Sequence, residues 1–169
     1  SVSGTGSLRL LIGTEGAPAD HGSIDINVDI TGDLTFDMPS DTDIVELSGA
    51  SVIDLNGGSL IVSDGTVKAS LATLNNIGDI VIGSNLELGF AQFQAILGGD
   101  KTISGTGDLT VTVEDDDEAA ALFDLVAEKA GAVDASVKFA VTDGATSQEV
   151  NVSAIIESKF EFLSNSLDK

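Results

Sequence analysis

The sequence predicts a mainly β chain with short helices, a β-solenoid-like stack of short strands with helical insertions. Three observations predict it. From Ile24 to Met38 every even position except Gly32 is apolar, while the odd positions are Asp, Asn or Thr. That period of two is the signature of a half-buried strand. Apolar runs of about three to five residues then recur about every eight positions, punctuated by turn triplets such as "SGA", "NGG" and "SDG". Finally, the order strand, helix, strand repeats towards the C-terminus. Strands this short suit a solenoid, where each pairs with its equivalent in the next coil. A β-sandwich with two attached helices uses the same alternation and is the alternative; an unbroken strand over 24–38 would favour it.

The elements follow in order. "SLRLLI" at 7–12 is a strand, and the 24–38 stretch is interrupted at Gly32 by a turn or bulge. "DIVEL", "SVIDL", "SLIVS" and "TVKAS" are four further short strands. "TVKASLATLNNIGDIVIG" reads as strand, short turn of helix, strand. Phe90, Phe93, Ile96 and Leu97 fall at helical spacing, and the "GG" that follows closes the helix. A longer helix follows "EDDDE", its acidic residues favoured by the helix dipole, with Leu122, Val126 and Ala130 on one face and Gly131 at its end. The tail is expected to form a helix through Ile156, Phe160, Leu163 and Leu167. Residues 1–113 thus form a β-rich repeat region, which 114–169 continues or caps. An internal echo pairs "SVSGTGSLRLLI" at 1–12 with "TISGTGDLTVTV" at 102–113. It suggests one full repeat and part of the next.

Composition narrows the partners. There are 28 acidic and 7 basic residues, a net charge of −21, alongside 42% hydrophobic residues. Such a chain must sort acids and aliphatics onto different faces, and it argues against disorder. Nucleic acid and anionic lipid surfaces are disfavoured; divalent cations, high salt or a basic partner are favoured. Cysteine is absent, which removes disulfides and thiolate metal sites and suits a bacterial secreted protein. No apolar run approaches the length of a membrane-spanning helix. No signal peptide opens the chain, so Ser1 reads as the start of a mature product or an excised fragment.

Two acidic constellations are candidate calcium sites. The first is the row Asp25, Asp29, Asp33 and Asp37. Calcium needs about six to eight oxygens, and acids along one strand stand too far apart to share an ion. The row is either a solvated strand face or half of a site completed by an adjacent strand or a neighbouring subunit. The second is Asp115, Asp116, Asp117 and Glu118, which reads either as a helix N-terminus or as a cluster needing ligands from elsewhere. Catalysis finds little support. His21 is the only histidine, no Gly-x-Ser-x-Gly elbow occurs, and "SGTG" lacks the Lys and helix of a phosphate loop. With no Trp or Tyr, a glycosidase lacks its sugar platform. No enzymatic activity is expected. A lyase on a β-helix would need acids beside Arg or Lys, and the one Arg is Arg9, near the start.

"GASVIDLNGGSLIVSDGTV" and "LNNIGDIVIGSNLEL" resemble coils of large bacterial surface proteins with β-helical passengers. "LELGFAQFQAILGGDKTISGTGDLTVTV" resembles the repeats of giant secreted adhesins, RTX-type exoproteins and some S-layer proteins. The resemblance covers roughly residues 42–113. The RTX calcium nonapeptide is absent, "LGGDKT" being only a fragment of it, so no family site carries over. What the resemblance implies is an extracellular or cell-surface, structural or adhesive role. The chain is then expected to be a self-assembling module, S-layer-like or fibrous and assisted by calcium. It would partner itself or neighbouring repeats of a larger chain. The alternative is an adhesin or receptor-binding module that recognises a host protein or glycan.

Overall fold

The computed structural model describes residues 1–13, 20–133, 138–142 and 147–151. They form a β-solenoid of about five turns, built from three parallel sheets. The first coil is β1 (Val2–Thr5), β2 (Leu8–Leu11) and β3 (Asp20–Ile24). The second is β4 (Asn27–Thr31), β5 (Leu34–Asp37) and β6 (Ile44–Leu47), and the third is β7 (Val52–Asp54), β8 (Leu60–Val62) and β9 (Thr66–Lys68). The fourth holds β10 (Thr73–Asn75), β11 (Ile80–Ile82) and β12 (Asn85–Gly89). The first sheet runs β1-β4-β7-β10, and each member pairs in parallel with the strand one coil away. These short parallel strands are those of a solenoid and not of a sandwich. The 24–38 stretch breaks, as a solenoid requires, at the Gly32–Asp33 corner between β4 and β5.

After β12 a helix stands in chain order where a fifth strand of the first sheet would have come. Helix α1 (Phe90–Gly98) buries Phe90, Phe93, Ile96 and Leu97, the residues whose spacing predicted it. The Gly89 N–H donates to Gln92 Oε1 at 2.7 Å, while Gln92 Nε2 donates to the carbonyls of Ala69 and Ala72. One side chain therefore starts the helix and ties it to the preceding coil. Strands β13 (Ile103–Gly105) and β14 (Asp108–Thr112) follow, and then helix α2 (Asp116–Glu128), with Leu122, Phe123 and Val126 buried. This helix ends earlier than its apolar stripe suggested. A 3-10 turn, Ala130–Ala132, takes its last positions. The second sheet is β13-β11-β8-β5-β2, and the third continues from β3 through β14 to β15 (Lys138–Thr142) and β16 (Ser147–Asn151). Only the β15–β16 pair is antiparallel among these. The expected tail helix lies outside the described residues.

Two expectations change. The turn of helix expected within "KASLAT" is a single hydrogen-bonded turn, Ala72 N–H to Ala69 carbonyl, followed by β10. The polar residues around Leu74 hid a strand with only one inward side chain. The 1–12 and 102–113 echo does not mark equivalent coil positions. Val2 pairs with Val28 in the first sheet, whereas Ile103 pairs with Ile80 in the second. What repeats is a corner, the glycine-rich bend between two strands, used once at each of two edges.

The core consists of inward columns one residue deep per coil. Leu34, Leu60, Ile80 and Ile103 stand in register in the second sheet. Val45, Val67, Leu86 and Leu109 do the same in the third. All eight are buried. Each buried aliphatic side chain contributes about 1.5 to 3 kcal/mol, so the stack holds by accumulation and not by any one residue.

The corner between the first and second sheets is set by glycine. A Cβ on Gly32 would lie 2.6 Å from the Gly6 carbonyl oxygen, and one on Gly58 would strike the Gly32 carbonyl. Gly58→Ala should therefore cost about 1 to 3 kcal/mol, the range of an overpacked interior. Gly98→Ala, in open space within α1, should be neutral or stabilising. Urea unfolding of both variants checks the contrast. Gln92→Ala removes the amide that donates to the Ala72 carbonyl and accepts the Gly89 N–H, and should lower stability by about 1 to 3 kcal/mol. Calorimetry of this variant beside Gln94→Ala, on the same helix, measures that loss.

Candidate functional site: the acidic outer face and the first coil

The acid row is divided by the fold. Asp25 precedes β4, Asp29 lies within it, Asp33 sits at the following corner and Asp37 ends β5. Each carboxylate has a partner from another coil or from a coil junction. Ser48 Oγ donates to Asp25, and Asn56 Nδ2 donates to Asp29 Oδ1 at 3.1 Å. The Ser59 N–H donates to Asp33 Oδ1 at 2.8 Å. Asp37, buried, pairs with the Arg9 guanidinium of the first coil.

The pattern extends to acids that the sequence reading did not single out. Asn76 Nδ2 donates to both oxygens of Asp54, at 3.1 and 3.0 Å. The Thr102 N–H donates to Asp79 Oδ1 at 2.8 Å. Asn56 and Asn76 both sit in the left-handed region, at φ 48 and 46, which Asn tolerates better than most residues. That conformation accompanies the return of their amides to the previous coil. The signal was present as Asp-Leu-Asn at 54–56 and Asn-Ile-Gly-Asp at 76–79.

Sheet register brings acids together in one place. Ser3, Asp29, Asp54 and Asn75 form a single column of the first sheet. Asp29 and Asp54 are adjacent, one strand spacing of about 4.8 Å apart. The third sheet has a column of alternating charge, Glu46, Lys68 and Glu87, an arrangement that stabilises neighbouring strands.

The second constellation begins α2. Asp115 is the N-cap, and its Oδ1 accepts the Glu118 N–H at 2.9 Å. Glu118 Oε2 accepts the Glu114 N–H at 2.8 Å. Asp116 is the first helical residue, and Asp117 is exposed. The two constellations belong to different elements. Among the described residues, no three His, Asp or Glu side chains converge as a set able to hold a metal ion. His21 Nε2 lies 3.7 Å from Asp43 Oδ2, which is buried.

The first coil differs from the rest. Val2 and Leu11 are 45% and 68% exposed. Beside Leu11 lies a groove of about 570 Å³, lined also by Arg9, Gly13, Asp37, Met38 and Asp64. A smaller cleft of about 260 Å³ lies by the start of α1, lined by Ser70, Gln92, Thr112 and Glu118 among others. Phe36, Phe90, Phe93 and Phe123 are all buried, so none of them offers a flat surface to a sugar.

The Thr102 N–H, with help from the Thr102 side chain, holds the Asp79 carboxyl below its ordinary pKa of 3.8. A carboxyl whose folded value is depressed contributes stability above its unfolded value and loses it as pH falls through the folded one. Asp79→Asn keeps the acceptor but removes the charge. It should flatten the decline of stability below pH 3.8. Denaturant midpoints from neutral pH down to about pH 2 measure this; parallel curves for the two proteins would refute it. Comparison with family models, curated proteins and solved structures finds no match to this chain.

Proposed function

We propose that this chain is a structural, self-assembling module of a bacterial extracellular surface protein. The observation that carries the reading is the surface division of the solenoid. A carboxylate-rich surface surrounds a core of aliphatic, Phe and Met side chains, and successive coils stack in parallel register. A stack of coils supplies repetitive, rigid faces, and sheet edges are natural joints between subunits. No helix among the described residues is long and apolar enough to cross a membrane.

Calcium enters this reading as a bridge between molecules. Asp25, Asp29, Asp115 and Asp117 are exposed, and no described set of three closes around an ion within one copy. In this reading a bound cation takes oxygens from two molecules, and its binding offsets the repulsion between surfaces of a chain carrying −21 charges.

Sedimentation velocity in millimolar calcium, against sodium chloride of matched ionic strength, tests the reading. Calcium should produce oligomers or fibres that matched salt does not, and Asp29→Asn combined with Asp117→Asn should reduce them. A chain that sediments as the same species in both solutions rejects calcium-assisted assembly.

A further inference from the structure

We infer that Asn56 is a site of spontaneous chemical modification, deamidation, which the native stack holds closed and whose conversion to a carboxylate unfastens the third coil from the second. The inference stands apart from the assembly reading. Three features of one corner carry it: the residue pair, the place of its nucleophile and the bonds of its side chain.

The pair is Asn56-Gly57, and Asn56 is the one Asn of the sequence that precedes a glycine. Deamidation begins when the backbone nitrogen of the following residue attacks the Asn carboxamide carbon. A side chain on that residue hinders the approach, and glycine has none. Both residues are exposed, and a Cβ on Gly57 would meet nothing, so water reaches them. The reaction balances with water alone. The Gly57 nitrogen gives its proton to solvent and bonds to Asn56 Cγ, and the bond from Cγ to Nδ2 breaks with loss of ammonia. Water then opens the cyclic imide at either carbonyl and leaves aspartate or isoaspartate.

The nucleophile is held by the fourth coil. The Gly57 N–H donates to the Asn76 carbonyl at 2.7 Å. While that bond stands, the nitrogen keeps its proton and stays turned from Cγ. The carboxamide is held as well, because Asn56 Nδ2 donates to Asp29 Oδ1 and to the Ile30 carbonyl, each at 3.1 Å. Bonds on either side brace the corner: the Gly58 N–H donates to the Leu55 carbonyl and the Gly78 N–H to the Gly58 carbonyl. Reaction thus requires the corner to open locally, and its rate follows the population of the opened form.

What the side chain does in the fold is what the reaction destroys. Asn56 is the donor of two bonds from the third coil to the second. Its product is a carboxylate, an acceptor alone, set against the Asp29 carboxylate and the Ile30 carbonyl. Asp54, the register partner of Asp29, adds a further like charge beside them. Isoaspartate also lengthens the main chain by one methylene. The extra length falls just before Gly58, which packs so closely on the Gly32 carbonyl that a Cβ would strike it.

The test is the rate of deamidation at each Asn of the whole chain in mildly alkaline buffer, read by peptide mapping that separates aspartate from isoaspartate. Without denaturant Asn56 should persist. In urea that unfolds the chain it should convert about tenfold faster or more, and ahead of every other Asn. Asn76→Asp sets a carboxylate against Asp54, which loosens the corner, and should speed conversion of Asn56 without urea; Gln94→Ala should not. Asn56→Asp reproduces one product, and its thermal midpoint should fall. Asp29→Asn added to it exchanges donor and acceptor and should restore part of that loss, a coupling that a double-mutant cycle measures. Equal rates with and without urea, or a folded Asn76→Asp chain that reacts no faster, overturn the closure. Another Asn leading in urea overturns the site. Asn56→Asp that melts with the parent chain, or that Asp29→Asn does not rescue, overturns the unfastening. Circular dichroism verifies that each variant folds, and the comparison in urea decides the closure if Asn76→Asp does not fold.

Discussion

Neighbouring coils of this chain lie one strand spacing apart, about 4.8 Å, and whatever points along the stack must fit within that gap. The rest of the structure depends on this constraint. At flat faces the side chains point inward or outward and the gap is filled by hydrogen bonds. At corners the backbone turns, and a Cβ there is aimed at the carbonyl of the preceding coil. Gly32, Gly58 and Gly78 follow one another at one corner for this reason, and Gly105 and Gly107 serve at another, against Ile82 and Ser84. The "SGTG" at 104–107 meets this need, whereas Gly4 and Gly6 of the copy at 3–6 have open space and share with Gly105 only a positive φ.

The same spacing accounts for the acids. A carboxylate at a corner is close enough to accept a donor from the following coil, and Asp33 and Asp79 accept backbone N–H groups that the turning strand cannot pair elsewhere. Asp29 and Asp54 accept Asn amides from one coil further on. These residues lace successive coils on the outside while the aliphatic columns join them within. An isolated surface ion pair contributes little, whereas a carboxylate that satisfies a backbone donor removes a penalty of about 1 to 3 kcal/mol. The acidity of the wall is thus partly architectural. The exposed carboxylates, Asp25, Asp29 and Asp117 among them, are also what a cation or a solvent layer meets.

Period-two alternation and regularly spaced turns made the solenoid legible in the sequence, and the spacing of Phe90, Phe93, Ile96 and Leu97 made α1 so. β10 was not legible, because a strand of three residues with one inward side chain, Leu74, carries no period. The acid row was legible as a row but not as a set of partnerships. Its partners Ser48, Asn56 and Ser59 stand a whole coil away in the chain, and coil length varies from turn to turn. Register is a property of closure, set when the corners fit.

The hydrogen bonds between coils run along the stack, while the chain itself runs across it. A pull on the two ends of such a stack therefore opens the ladder bond by bond, as a zipper opens, and does not shear many bonds at once. Coils would come away in sequence, each release freeing the length between register partners such as Leu34 and Leu60. Because each coil contacts mainly its neighbours, the loss of one leaves the next with its own inward column and corners in place. The tie that Gln92 makes from α1 to the Ala69 and Ala72 carbonyls fastens the helix across that ladder. Extension under tension would then be graded, with the helix-braced coils as the stiffer portion and the slender first coils as the compliant one.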